Sequence, residues 1–282
     1  MVDNQEVSVR QKDFVNTLSG SPGSDDIEAM FDIDTDHSLR GYVNRNDLGI
    51  GNSELDSVWF EDFLANTATL SRWAASNSGS GTNVSDGWRF VTTGTQAVGC
   101  LNLETGTTAS GYSSMHTWNN VCFVNNGAAF TYKARVAVLD LATASEDYRV
   151  EVGFSNNWDD AVWPADSIVF RYDRATHSAS NPDNWRAVTR HDETETETDT
   201  GVAVAEVNGG DSMQVLRIEV SEDGSEVTFY IDDTLVATHT DDIPGNNDRM
   251  GLGQCVLKSA GTTERFVGFD YTYFRAKFSS AR

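Results

Sequence analysis

FTYKARVAVLDLATASEDYRVEVGFSNNWDDAVWPADSIVF, residues 130–170, is the stretch that decides the fold. Phe130, Tyr132, Ala134, Val136 and Val138 fall on one side of an extended chain, and Thr131, Lys133, Arg135 and Ala137 on the other. That period of two marks a strand with one face in a core. A polar break at 143–147 follows, and Tyr148, Val150, Val152 and Phe154 resume the alternation. A wide loop carrying Trp158, Trp163 and Pro164 then leads to Ile168 and Phe170. Strand, turn, strand, wide loop and strand begin an antiparallel sheet.

The same rhythm runs outward in both directions. Towards the C-terminus, 184–190 alternates, and 194–204 reads as a further strand. Residues 215–220, 226–231 and 234–239 alternate across turns at 221–224 and 232–233, which is a β-meander. Residues 250–258 and 265–275 complete the series, and glycines within them suggest bulges or curvature. Towards the N-terminus, 58–63, 87–92, 97–104, 112–118 and 121–124 read as strands, and the Gly/Ser-rich stretch 76–87 as a loop. No long helix is predicted. The expected fold is therefore all-β: an antiparallel two-sheet jelly-roll sandwich over residues 58–282, preceded by an extended N-terminal arm, 1–57. Within the arm, 25–33 could make one or two helical turns, and the segment either lies on a neighbouring subunit or folds back on its own domain.

The 282 residues carry 43 Asp and Glu against 20 Lys and Arg, a net charge of −23. Phosphate-backbone binding needs clustered Lys and Arg, so direct nucleic-acid binding is not expected. Abundant Asp with only four lysines resembles proteins from salty environments. No apolar run approaches the ~18 residues of a membrane span. The N-terminus lacks the apolar core of a secretory signal, so synthesis in the cytoplasm without a signal peptide is expected. Cys100, Cys122 and Cys255 are odd in number and far apart, which reads as buried small hydrophobes rather than as a disulfide framework or a zinc site.

Three segments carry a family resemblance. They are DSIVFRYD (166–173) with NWRAVT (184–189), DGSEVTFYIDDTLVATH (223–239), and KSAGTTERFVGFDYTYFR (258–275). As a set they resemble the concanavalin A-like (lectin/glucanase) jelly-roll modules of virion structural proteins in tailed viruses, over about residues 58–276. The resemblance implies two curved antiparallel sheets in a viral particle, on the head or in a tail or fibre. It implies no activity, because this fold carries many functions.

Four constellations could carry chemistry. Glu193, Glu195, Glu197 and Asp199 would share one face of a strand, as acidic residues do in jelly-roll glycanases. Threonine fills each intervening position and no aromatic flanks the run, so a solvated, Thr-rich edge strand is the expectation. Trp158 and Trp163, with Asp159 and Asp160, could grip a glycan or partner, a ring face stacking on a pyranose while polar tips fix its hydroxyls; the alternative is that they anchor their loop. Trp185 opens an alternating strand and is expected in the core. Asp159, Asp160 and Asp166, or Asp241, Asp242 and Asp248, could hold calcium in a loop. The run Asp32–His37 begins like an EF-hand but places His37 and Val43 where Gly and a bidentate Glu are needed. No complete motif supports a metal, so no cofactor is expected, and no HExxH, GxSxG or P-loop occurs.

These readings lead to a non-enzymatic virion structural protein, a capsid decoration or cement protein whose arm attaches the jelly roll to neighbouring subunits of the major capsid protein. Homo-oligomerisation, a trimer for example, is expected from that setting. The alternative is a tail-associated carbohydrate- or receptor-binding module that takes a host glycan. A glycoside hydrolase using the 193–199 run is the third reading.

Overall fold

The computed structural model describes residues 31–33, 39–41, 56–61, 63, 73–85, 100–117, 124, 127–158, 163–177, 180–207, 213–245 and 247–279. The chain divides into two units, residues 1–56 and 57–282. In the first, β1 (Phe31–Ile33) pairs antiparallel with β2 (Leu39–Gly41). Residues 31–33 are thus a strand and not the helical turn expected there. The rest of the predicted helix and most of the EF-hand-like run lie outside the described residues.

The second unit is a sandwich of two antiparallel sheets, as the alternation predicted. The strands in chain order are β3 (Asp56–Glu61), β4 (Ala74–Ser78), β5 (Thr82–Ser85), β6 (Leu101–Glu104), β7 (Tyr112–His116), β8 (Ala128–Val138), β9 (Tyr148–Ser155) and β10 (Ser167–Asp173). They continue with β11 (Asn184–His191), β12 (Thr194–Ala203), β13 (Gln214–Val220), β14 (Val227–Ile231), β15 (Thr234–His239), β16 (Gly251–Lys258) and β17 (Phe266–Phe278). One sheet has the order β12-β11-β10-β9-β16-β7-β4. The other has the order β15-β14-β13-β8-β17-β6-β5, with β3 also on β17. The predicted meander is β13-β14-β15, and its second turn, Asp232–Asp233, has positive φ at both residues, the backbone of a two-residue type I′ hairpin. Asp192–Glu193 repeats that geometry between β11 and β12.

The deciding stretch forms β8, β9 and β10. Its inward residues, Tyr132, Val136, Val152, Phe154 and Phe170 among them, are at most 5% exposed and fill the space between the sheets. Trp185 joins them at 0% exposure, meeting Phe170 and Tyr172 edge-on. Two strands were missed: β4 and β5 lie within or beside what reads as a Gly/Ser-rich loop. Their sequences, AASNS and TNVS, have almost no apolar alternation, and each sits at the edge of its sheet, where such residues suffice. The expected strands at 87–92 and 121–124 fall outside the described residues, apart from Val124. Cys100 and Cys255 are buried, as read from the sequence.

Strands β9 and β10 are buried on both faces. Away from the main core, Gly253, Gly153, Val169, Val188 and Glu197 stand side by side on successive strands. This second face of the seven-stranded sheet has its own small cluster of Tyr112, Trp158, Val169, Val188 and Cys255.

Candidate functional site

The acidic run lies on this second face. Glu193 falls in the β11–β12 turn, so it leaves the set, while Glu195, Glu197 and Asp199 project from β12 towards β11 and β10. β12 is an edge strand, as expected, but its carboxylates are not simply solvated. Arg171 of β10, whose side chain is 2% exposed, donates from Nη1 and Nη2 to the two Glu195 oxygens at 2.8 and 3.0 Å, and from Nε to Glu151 Oε1 at 2.9 Å. Arg190 Nη1 reaches the same Glu195 at 3.3 Å. Glu197 lies 3.4 Å from Arg171 Nη1 and 3.1 Å from His177 Nε2. Asp199 takes Arg186 at 3.1 Å and hydrogen bonds from Asn181 and Asn184, both at 2.8 Å. The threonines between them turn to the other side, where Thr198 meets His239 Nε2 at 2.9 Å and Thr196 donates to Asp242 at 2.7 Å.

The electrostatics follow from this pairing. Burial alone would push Arg171 down, but Glu151 and Glu195 outweigh it and hold the guanidinium charged. Burial would raise Glu195, and the Arg171 and Arg190 contacts outweigh it and lower it. For Asp199 the opposing burial is overcome by Asn181, Asn184, the Gly201 N–H and Arg186, which bring it down to about 2. A glycosidic acid needs a carboxyl raised towards neutrality beside one that stays ionised. Both perturbed carboxyls of the run move the other way, so this geometry makes an ion-pair lattice. The arginines were legible only as the alternate positions of β10 and β11, with no motif to select them.

The loop between β9 and β10 separates the two tryptophans proposed as contacts. Trp158 is 1% exposed and cannot present a ring to a ligand; it anchors its loop, the alternative weighed from the sequence. Its Nε1 donates to Gly251 O at 3.1 Å, and its backbone carbonyl accepts from Tyr112 Oη and from Ser114 Oγ. A Cβ on Gly253 would stand 2.7 Å from the indole, so the glycine makes the trough in which the ring lies. Trp163 is 38% exposed, and its inner side packs on two cations, Arg149 Cζ at 3.7 Å and Arg171 Cζ at 4.1 Å from the ring centroid. Asp159 and Asp160 lie outside the described residues.

The carboxylates grouped as two calcium candidates are redistributed. Asp166, just before β10, and Asp248, just before β16, come together around His191 at the end of β11. His191 Nδ1 lies 3.2 Å from Asp166 Oδ1 and 3.3 Å from Asp248 Oδ2. Asp242 is instead bound to Thr196. Sequence reading missed His191 because the three residues come from separate segments.

Similarity to known proteins concerns the fold. A protein of unknown function, SO2946 from Shewanella oneidensis MR-1, superimposes with a TM-score of 0.55 at 14% identity, over 87% of this chain and 99% of that one. Peanut lectin superimposes with a TM-score of 0.53 at 8% identity, over 80% and 99%. The alginate lyase AlyC3 matches more loosely, with a TM-score of 0.48 at 10% identity over 68% and 80%, which carries no argument about chemistry. No curated protein matches the chain by sequence. The concanavalin A-like sandwich that the resemblance implied is the fold present. The family model described as SO2946-like, C-terminal domain, matches residues 96–270, and the chain belongs to that family.

Proposed function

We propose that this chain is a non-enzymatic structural protein of a virion, a decoration or cement jelly roll on the exterior of a capsid. The observation that carries the non-enzymatic part is the lattice of Arg171, Arg190 and Arg186 with Glu151, Glu195 and Asp199. The carboxylates that most resemble a catalytic set are held ionised and paired, which suits a face built for rigidity. The virion setting rests on the segments 166–173 with 184–189, 223–239 and 258–275, which form β10, most of β11, the β14–β15 hairpin and most of β17. In this reading residues 1–57 attach the sandwich to the major capsid protein, and the sandwich associates with copies of itself. The charge of −23 keeps the outer surface soluble and argues against the packaged nucleic acid as a partner.

Electron microscopy and mass spectrometry of purified particles test this. Hundreds of copies over the head, lost when 1–57 is deleted, are expected. Absence from particles would overturn it. A few copies at the tail would favour a second reading, receptor or glycan binding, for which the half-exposed Trp163 is the specific observation. In that case Trp163→Ala should abolish signal on a glycan array while leaving the thermal midpoint within a few degrees.

A further inference from the structure

We propose that Asp166, His191 and Asp248 bind a divalent transition cation of the zinc type. This goes beyond the structural role above and does not depend on it.

The distances support a ligand set. Zinc holds nitrogen and carboxylate oxygen at about 2.0–2.2 Å, so neighbouring ligand atoms in a tetrahedron stand about 3.3–3.6 Å apart. His191 Nδ1 lies 3.2 Å from one carboxylate oxygen and 3.3 Å from the other. All the ligand atoms are within 4.8 Å of one another. The three side chains are 9%, 37% and 22% exposed in the order Asp166, His191, Asp248, so the site faces solvent and leaves a coordination position for water or an incoming ligand.

The two carboxylates are also fixed by hydrogen bonds, as metal ligands characteristically are. Asp166 Oδ2 accepts from Asn156 Nδ2 at 2.7 Å, and its Oδ1 from the Asp192 N–H at 3.1 Å. Asp248 Oδ2 accepts from the Gly245 N–H at 2.6 Å. His191 Nε2 lies 3.6 Å from Asp192 Oδ2, which leaves Nδ1 turned to the two carboxylates.

Charge supplies an independent argument. Glu151, Glu195 and Asp199 on the same sheet each have an arginine. Asp166 and Asp248 have no Lys or Arg partner among the described residues, only one imidazole between them. In a chain of charge −23, a cation completes what that imidazole balances incompletely. An imidazole with two carboxylates suits zinc or a neighbouring first-row ion better than calcium, which takes oxygen ligands throughout.

The test uses the full chain, stripped with chelator and titrated calorimetrically with Zn²⁺, and separately loaded with Co²⁺ as a spectroscopic probe. One equivalent of Zn²⁺ and visible Co²⁺ d–d bands are expected. His191→Ala and Asp248→Asn should each weaken Zn²⁺ binding at least tenfold and remove the Co²⁺ bands. Asp248→Asn preserves shape and decides the matter if His191→Ala does not fold, with far-ultraviolet circular dichroism of the metal-free forms as the control. No stoichiometric uptake, or uptake retained in a folded variant, overturns the proposal and assigns any binding to the other surface carboxylates.

Discussion

Replacing Arg171 with methionine isolates what the ion-pair lattice contributes. The guanidinium is 2% exposed and Glu151, one of its partners, 4%. Without Arg171, Glu151 keeps as its cationic partner among the described residues only Arg149 Nε, at a loose 3.7 Å. Breaking a buried pair by removing one partner costs about 3–5 kcal/mol, most of it from the carboxylate left behind. Glu195 and Glu197, 24% and 20% exposed, still have Arg190 and His177 beside them, so they add less. A unit of roughly this size loses about 2–4 °C per kcal/mol, so the midpoint should fall by about 6–20 °C. Thermal and urea unfolding followed by circular dichroism read this directly, with an unchanged m-value showing that the native fold persists. The argument makes a sharper claim about the double variant. If the cost comes from an orphaned charge, Glu151→Gln should recover more than half of it in the Arg171→Met background while destabilising the wild type. A single-variant loss below about 1 kcal/mol, the range of exposed pairs, would refute the reasoning. So would a double variant no better than Arg171→Met.

Two further outcomes follow from the same face. Glu195 and Asp199 have native pKa values below their ordinary 4.5 and 3.8, Asp199 near 2, so the native state binds fewer protons than the unfolded one. Their stabilisation is complete above the ordinary values and is lost as pH falls towards 2; unfolding midpoints measured from pH 6 to pH 2 should decline through that window, and less steeply in Asp199→Asn. Gly253→Ala places a methyl 2.7 Å from the Trp158 ring and 2.9 Å from His116 Cβ, and both neighbours are buried. Overpacking of this kind costs about 1–3 kcal/mol, measurable by urea denaturation; a neutral substitution would show that the indole can move aside.

The architecture was legible wherever one strand face is apolar and the other polar. β8, with its buried and half-buried residues in near-perfect alternation, is the plainest case. The two turns of the meander, 221–224 and 232–233, were legible too, the second as a pair of aspartates, whereas the turn at Asp192–Glu193 was hidden inside the acidic run. The edge strands β4 and β5 were not, because an edge strand of Ser, Asn and Ala earns its place from backbone pairing with a neighbour and leaves no hydrophobic period. The site was legible by halves. Glu195, Glu197 and Asp199 stood out as a run, whereas Arg171 sits in SIVFRYD and reads as one polar interruption in a buried strand. Only the pairing of β10 between β9 and β11 turns it towards those carboxylates. The same holds for Trp158 and Trp163, alike in sequence and opposite in exposure, since Gly253 on a strand far along the chain makes room for one and not the other. Asp166, His191 and Asp248 belong to separate segments, and antiparallel neighbours bring their strand ends together.

The pairing of β8 with β17 bears on how the chain is made. These two long strands are neighbours inside the sheet, and Arg135 is bound to Asp270, 135 residues later. On a ribosome adding about 5–20 residues per second, β8 waits roughly 7–27 s for that partner. During this interval the meander β13-β14-β15 can form on β8, but β8's opposite edge, destined for β17, stays open. An unpaired strand edge beside apolar side chains is an aggregation template, so nascent chains at high translational load are the vulnerable species. Slow, non-local closure of this kind makes yield depend more on synthesis rate and temperature than on the stability of the finished sandwich.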